Sequence, residues 1–251
     1  MGKSVKSTVS AEEWELRVNL AACYRAIAMF GWDDLVFTHI SARIPGPQEH
    51  FLINSYGLFF EEMTASSLVK VDLEGNKVSD SEGEINPAGF VIHSAVHEAR
   101  PDVGCIVHTH TKAGIAVSAQ AGGFLPISQT SLFSYATIAY HDYEGVALND
   151  HEKPRLVADL GDRNCLVLRN HGLLATGPTI PDAFLRMYLF ETGCQIQLLA
   201  QSTGQKLVHV PDPIVSAIEA QGQAVTRGLG GQLVWPGILR KLDRRDPSFR
   251  T

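Results

Sequence analysis

Apolar residues at Trp14, Val18, Ala21, Ala22, Ile27 and Ala28 recur at nearly helical intervals, giving one apolar face. Ser10-Ala11-Glu12-Glu13 is an S-x-x-E capping box at the start of this helix, and Gly31 is its stop. Shorter runs follow. Strands are predicted over 37–41, 50–54 and 67–73, with turns at Pro45-Gly46-Pro47 and Asp72-Leu73-Glu74-Gly75-Asn76. Residues 80–84 are acidic and read as solvated. Asn86-Pro87 opens a second helix that Pro101 ends near Arg100. The run 103–108 reads as a strand, and 111–120 as a short Ala-rich helix closed by Gly122-Gly123. Strands over 134–142 and 164–169 flank a polar helix around 150–161. The longest helical pattern covers 181–202, with Gly204 as its stop, and Asp212-Pro213 caps a further helix reaching about Arg227.

Helices and strands alternate, yet several strands are joined by hairpin-length turns. This pattern predicts a mixed, mostly antiparallel sheet covered by helices on both faces, and not a doubly wound parallel fold. The expected organisation is a disordered tail over 1–10, one domain over 11–205, and a C-terminal tail over 206–251. That last tail would pack on the domain or on a neighbouring subunit.

Composition narrows the classes. The chain has 251 residues, 45% of them hydrophobic, enough for one large core. A net charge of −6 argues against nucleic acid or an anionic membrane as partner. No apolar run reaches the ~18–20 residues of a membrane helix, and residues 1–10 lack the apolar stretch of a signal peptide. Cys23, Cys105, Cys165 and Cys194 are scattered without metal-knuckle spacing and read as reduced core residues. A cytoplasmic location is the expectation. The basic end, Leu239 to Arg245, reads as a solvated or subunit-contacting segment.

The chemistry concentrates in Cys105-Ile106-Val107-His108-Thr109-His110. On a strand, residues i and i+2 share a face about 6.6 Å apart, so His108 and His110 can close on one cation. A third imidazole is available from Val167-Leu168-Arg169-Asn170-His171-Gly172. Three neutral imidazoles and a water suit Zn2+ with an open position, and also Mn2+ or Fe2+. His93 and His97 form an H-x-x-x-H on a helix, but Ser94 stands where a metalloprotease helix carries glutamate. That pair reads as structural or as orienting a ligand. His39 lies near a possible pocket rim and carries no assignment.

The stretch Asn86-Pro87-Ala88-Gly89-Phe90-Val91-Ile92-His93, the Ala99-Arg100-Pro101-Asp102 that follows, the Val107-His108-Thr109-His110 strand end and Arg169-Asn170-His171-Gly172 together resemble the class II aldolase/adducin family. The segments Leu125 to Gln129 and Tyr140 to Tyr143 resemble its adducin-type branch, and the likeness covers roughly 12–205. The resemblance implies a three-layer α/β/α sandwich around a mixed, mostly antiparallel sheet. It implies homotetramers with sites at subunit interfaces, a metal on His108, His110 and His171, and a Zn2+-stabilised enediolate during carbon–carbon cleavage.

Three departures stand out. The family's glutamate, ligand and general base four residues before the histidine matching His93, is Gly89 here, and Glu84 lies five residues earlier. The phosphate loop corresponds to Asn54-Ser55-Tyr56-Gly57, with Asn54 and Gly57 as substrate-binding candidates and Tyr56 adding bulk. The proton-donating tyrosine of some family aldolases aligns near Thr130. Tyr135, Tyr140, His141 and His171 are the candidate donors, and Arg43 and Arg169 the candidates to hold a substrate carboxylate.

The functional expectation is a metal-dependent carbon–carbon lyase acting on a small oxygenated substrate. A decarboxylase of a hydroxy or aromatic carboxylic acid is the alternative, because loss of CO2 needs no base. A non-catalytic adducin-like interaction module is the alternative of another class, and a zinc hydrolase ranks last because no H-E-x-x-H is present.

Overall fold

The computed structural model describes residues 4–79, 83–146 and 150–251. Helix α1 (Ala11–Met29) starts where Ser10 accepts a hydrogen bond from the Glu13 N–H. The Glu13 carboxylate does not complete the capping box. It pairs instead with Arg17 (3.0 Å) and Lys70 (2.9 Å), and these partners outweigh burial and keep its pKa below the ordinary value.

Then come β1 (His39–Arg43), β2 (Phe51–Ile53), β3 (Val69–Val71), α2 (Pro87–Ala99) and β4 (Cys105–Thr109). They are followed by α3 (Lys112–Ser118), α4 (Gln129–Tyr135), β5 (Ile138–His141), α5 (Lys153–Leu160), β6 (Cys165–Leu168) and β7 (Gly172–Gly177). Helices α6 (Ile180–Ser202), α7 (Asp212–Thr226) and α8 (Trp235–Arg245) end the chain.

Among the described residues, seven strands form one sheet in the order β3-β2-β1-β4-β7-β6-β5. Every pairing is antiparallel except β5 with β6, which α5 connects. Side chains alternate between the faces. Ile40, Val107, Val167 and Leu173 pack with α1 and α6, while Ile106, Leu166 and Leu174 pack with α2 and α5. The result is the expected α/β/α sandwich. Trp235, Leu242 and Phe249 from the C-terminal region join the larger core. The four cysteines are buried and unpaired, and among the described residues no helix is long and apolar enough to cross a membrane.

Several expectations shift. The strand predicted over 37–41 begins two residues later, at His39, and 134–142 contains only β5. Ser134 and Tyr135 belong to α4, because Ser128 and Ser131 cap each other's backbone N–H groups and start a helix there. Strand β7 and helix α8 were not expected. The acidic positions 80–82 lie outside the described residues, as do 1–3 of the N-terminal tail, in which Val5–Ser7 forms a 3-10 turn.

Candidate metal centre

Strand β4 pairs with β1 on one side and β7 on the other, placing His39 opposite His108 and His108 opposite Leu174. His110 follows the strand end. His171 sits in the β6–β7 turn, where Asn170 takes φ +57° and the His171 N–H bonds the Leu168 carbonyl. Gly172 permits the close approach: a Cβ there would lie 2.4 Å from the Thr109 carbonyl oxygen. That contact seats the turn, and so His171, against the end of β4.

The three imidazoles converge. The Nε2 atoms of His108 and His110 are 2.9 Å apart, as are those of His110 and His171, and the three ligand atoms lie within 4.8 Å of one another. The outward nitrogens decide the tautomers. His108 Nδ1–H donates to the Leu173 carbonyl at 2.9 Å, and His110 Nδ1–H donates to Asp34 Oδ2 at 3.1 Å. Both neutral rings therefore carry their proton on Nδ1 and turn an Nε2 lone pair inward. The short His108–His110 contact holds no proton and is repulsive unless a cation lies between the rings.

Protonation does not offer a substitute. Burial, together with His171, His110 and the other neighbouring histidines, holds His108 well below the ordinary histidine range. Burial first, then His110 and His141, pushes His171 down to about 4. At His110 burial outweighs the opposing pull of Asp34. Two inward imidazole lone pairs, on rings whose N–H groups are anchored to a carbonyl and a carboxylate, with the His171 Nε2 beside them, fit a divalent metal such as Zn2+. Behind them Thr111 caps α3 and donates its hydroxyl proton to the buried Glu191.

Other predicted residues lie elsewhere. Tyr135 and Tyr140 line a cavity of about 590 Å3 with Arg169, Phe124, Leu125 and His209. Both tyrosines pack on the α6 side of the sheet, whereas His108 shares the α2 side with Ile106. Arg169 stacks on Tyr140 at 4.4 Å and donates to the Gln120 carbonyl, and the Tyr140 hydroxyl accepts from Phe124 N–H. These groups are not brought to the triad. The tyrosine that does reach it is Tyr143, exposed, with its ring centroid 6.3 Å from that of His171.

His141 is held between Asp159 (2.7 Å) and Glu152 (3.3 Å), so both ring nitrogens are engaged. Arg43 bonds Glu49 and the His97 carbonyl and stacks over Phe51. Asn54 is buried against the Tyr24 hydroxyl, while Gly57 takes φ +100° in the turn beside exposed Tyr56. Gly89 is buried on α2, and a Cβ there would lie 2.2 Å from His39 Cδ2 and 2.4 Å from His39 Nε2. The imidazole of His39 thus fills the space into which a side chain at 89 would grow.

Sequence reasoning left His39 without an assignment at a possible pocket rim, did not select Tyr143 from the Tyr140 to Tyr143 stretch, and missed Asp34. The strand alternation of Thr38-His39-Ile40-Ser41 was the available signal for His39, while Asp34 is linked to His110 across 76 positions and left none.

Comparison with known proteins identifies the family and the fold. The model described as "Class II Aldolase and Adducin N-terminal domain" matches residues 18–198. A crystal structure of an aldolase II superfamily protein from Pseudomonas syringae is 49% identical, with a TM-score of 0.94 over 99% of this chain and all of that one. An L-fuculose 1-phosphate aldolase from Glaciozyma antarctica is 30% identical, with a TM-score of 0.82 over 96% of this chain and 94% of that one. Alpha-adducin of Mus musculus is 41% identical over 91% of this chain, which spans only 33% of the adducin. Matched over most of its length in sequence and in structure, the chain belongs to the class II aldolase and adducin family.

Proposed function

We propose that this protein is a metal-dependent carbon–carbon lyase that holds one divalent ion, Zn2+ in the first instance, on His108, His110 and His171. The observation that carries the reading is the pair of Nδ1-protonated imidazoles whose unshared Nε2 electrons meet at 2.9 Å. A bound metal supplies a Lewis acid for negative charge developing on a substrate oxygen. The Leu173 carbonyl and Asp34 fix the orientation of two ligands, and burial keeps the rings neutral and available. The Tyr143 ring, 6.3 Å from that of His171, makes this tyrosine our candidate to hand a proton to a substrate. The likeness to an L-fuculose 1-phosphate aldolase supports a small oxygenated substrate. Gly89, with no carboxylate at the family's base position, favours substrates that lose CO2 over those that must first lose a proton. The assembly proposed is a homotetramer, checked by light scattering.

The test is metal analysis of the purified protein followed by a screen of sugar phosphates, 2-hydroxy acids, 2-oxo acids and aromatic carboxylates. About one zinc per chain, its loss on replacing His108 and His110 by alanine, and chelator-sensitive turnover are expected. Absence of stoichiometric metal would sink the proposal. The similarity to alpha-adducin supports a second reading, a non-catalytic interaction module. A metal-replete protein inert toward the whole screen would favour that reading.

A further inference from the structure

His39, His93, Ser41 and His97 are all buried and form one chain of hydrogen bonds beside the triad. His39 Nδ1 meets His93 Nε2 at 2.8 Å, His93 Nδ1 meets Ser41 Oγ at 2.6 Å, and Ser41 Oγ meets His97 Nε2 at 2.7 Å. All three rings are buried, and loss of hydration disfavours the charged form of each.

Each neutral ring has one proton, and Ser41 has one. With the Ser41 proton kept on one of its two contacts, His93 and His97, all three contacts can be satisfied in two ways. If His93 carries its proton on Nδ1, it donates to Ser41, Ser41 donates to His97, and His39 must donate from Nδ1. Every ring is then Nδ1-protonated, and His39 Nε2 is a bare acceptor. If His93 carries its proton on Nε2, every step reverses and His39 Nε2 becomes a donor. A choice at one end of the chain therefore fixes the other.

The His97 end favours the first arrangement. His97 Nδ1 has no partner in full hydrogen-bond geometry, and the Val103 carbonyl is the group that favours a proton on this ring. A bare Nδ1 beside a carbonyl oxygen is repulsive, whereas an N–H is attracted. At the other end, the His39 ring lies 5.0 Å from that of His108. Its Nε2 has no hydrogen-bond partner among the described residues, and it fills the space beside Gly89.

We infer that His39 takes over the place of the missing carboxylate, as a neutral imidazole whose Nε2 accepts a hydrogen bond from a hydroxyl of a small hydroxylated ligand at the triad. His93, Ser41 and His97 are the positioning residues that set its polarity. This deepens the proposed function and rests on it for the ligand's presence.

Neutron diffraction from deuterium-exchanged crystals, with and without Zn2+, tests the polarity directly. Deuterons are expected on Nδ1 of His39, His93 and His97, and a deuteron on His39 Nε2 overturns the inference. Acetohydroxamate is the ligand probe, titrated calorimetrically into zinc-loaded protein. Ser41→Ala is expected to weaken its binding about tenfold, the loss of one hydrogen bond. Ser41→Thr, which keeps the hydroxyl, is expected to restore it, with zinc stoichiometry unchanged in both. Unaltered acetohydroxamate affinity in Ser41→Ala also overturns the inference. If the wild-type protein takes up no zinc, it is the metal site that fails, and the deuteron positions in metal-free crystals still decide the chain's polarity.

Discussion

Asp34→Asn isolates the electrostatic part of the metal centre. The substitution keeps an oxygen able to accept the His110 Nδ1–H and removes only the charge. The carboxylate is 3.1 Å from Nδ1, and its side chain is 43% exposed. Across the imidazole it would stand about 7 Å from a bound divalent ion, an attraction of roughly 1 kcal/mol in a water-like dielectric and ~2 kcal/mol at half that value. Loss of a carboxylate partner to a ligating histidine costs about 10- to 100-fold in metal affinity. The half-exposed position selects the lower end, about tenfold or ~1.4 kcal/mol. Asp34→Ala, which also leaves Nδ1–H unpaired, should cost more. The assay is zinc competition against a chromogenic chelator at fixed pH, with near-UV circular dichroism confirming the fold. The Asp34→Asn deficit should shrink as salt rises, because the carboxylate is screened. A zinc affinity within about twofold of wild type in both variants, or a deficit indifferent to salt, would refute the reasoning.

Gly89→Glu should fail to restore the family's carboxylate, because its Cβ would lie 2.2 Å from His39 Cδ2. Urea melts should show a loss of about 1–3 kcal/mol from overpacking, reduced in the His39→Ala/Gly89→Glu double variant, and equal losses in both would argue against the clash. Gly172→Ala, with its Cβ 2.4 Å from the Thr109 carbonyl, should destabilise the β4–β7 pair and weaken zinc binding together; wild-type values for both would contradict the packing described. The buried histidines predict acid sensitivity in the metal-free protein. His97 and His171 are depressed from 6.5 to about 3 and about 4, so the unfolded chain takes up protons below pH 6.5 that the folded chain refuses. Stability is therefore complete above pH 6.5 and falls as pH drops through that window, by up to ~1.4 kcal/mol per pH unit for each such ring. A urea midpoint that is flat or rising from pH 7 to pH 5 would contradict it.

Legibility in the sequence followed the range of the interaction that made each feature. Helix α1 was readable because Ser10 and its apolar spacing are local, and so was the H-x-H at the end of β4. Strand β7 was not, since Gly172-Leu173-Leu174-Ala175-Thr176-Gly177 has no aromatic residue, one β-branched residue and a glycine at each end. Its strand character comes from pairing with both β4 and β6. Helix α4 was hidden because Phe133 to Tyr140 is strand-like in composition, and a local serine cap overrides it. The same distinction holds in the site. His108, His110 and His171 announce themselves through short motifs. Asp34 and His39 reach the site only because β1 pairs with β4 in one register and the loop before β1 folds over His110.

The exchange of a carboxylate for a histidine also changes the charge of the centre. A glutamate beside three neutral imidazoles would cancel one of the two positive charges of a divalent ion. At Gly89 there is no side chain to do so, and the ring beside it, His39, is neutral because it is buried. The carboxylate bonded to a ring of the triad, Asp34, stands behind His110 and is partly screened by water. A metal at this site would thus keep most of its dipositive charge for whatever binds in front of it. In a partly buried pocket that surplus favours anionic oxygen ligands over neutral ones. With the proposed metal bound, glycine at position 89 would thus leave no carboxylate to act as a base and would also raise the affinity for acids. Both consequences point the same way, toward carboxylates as the compounds to test first.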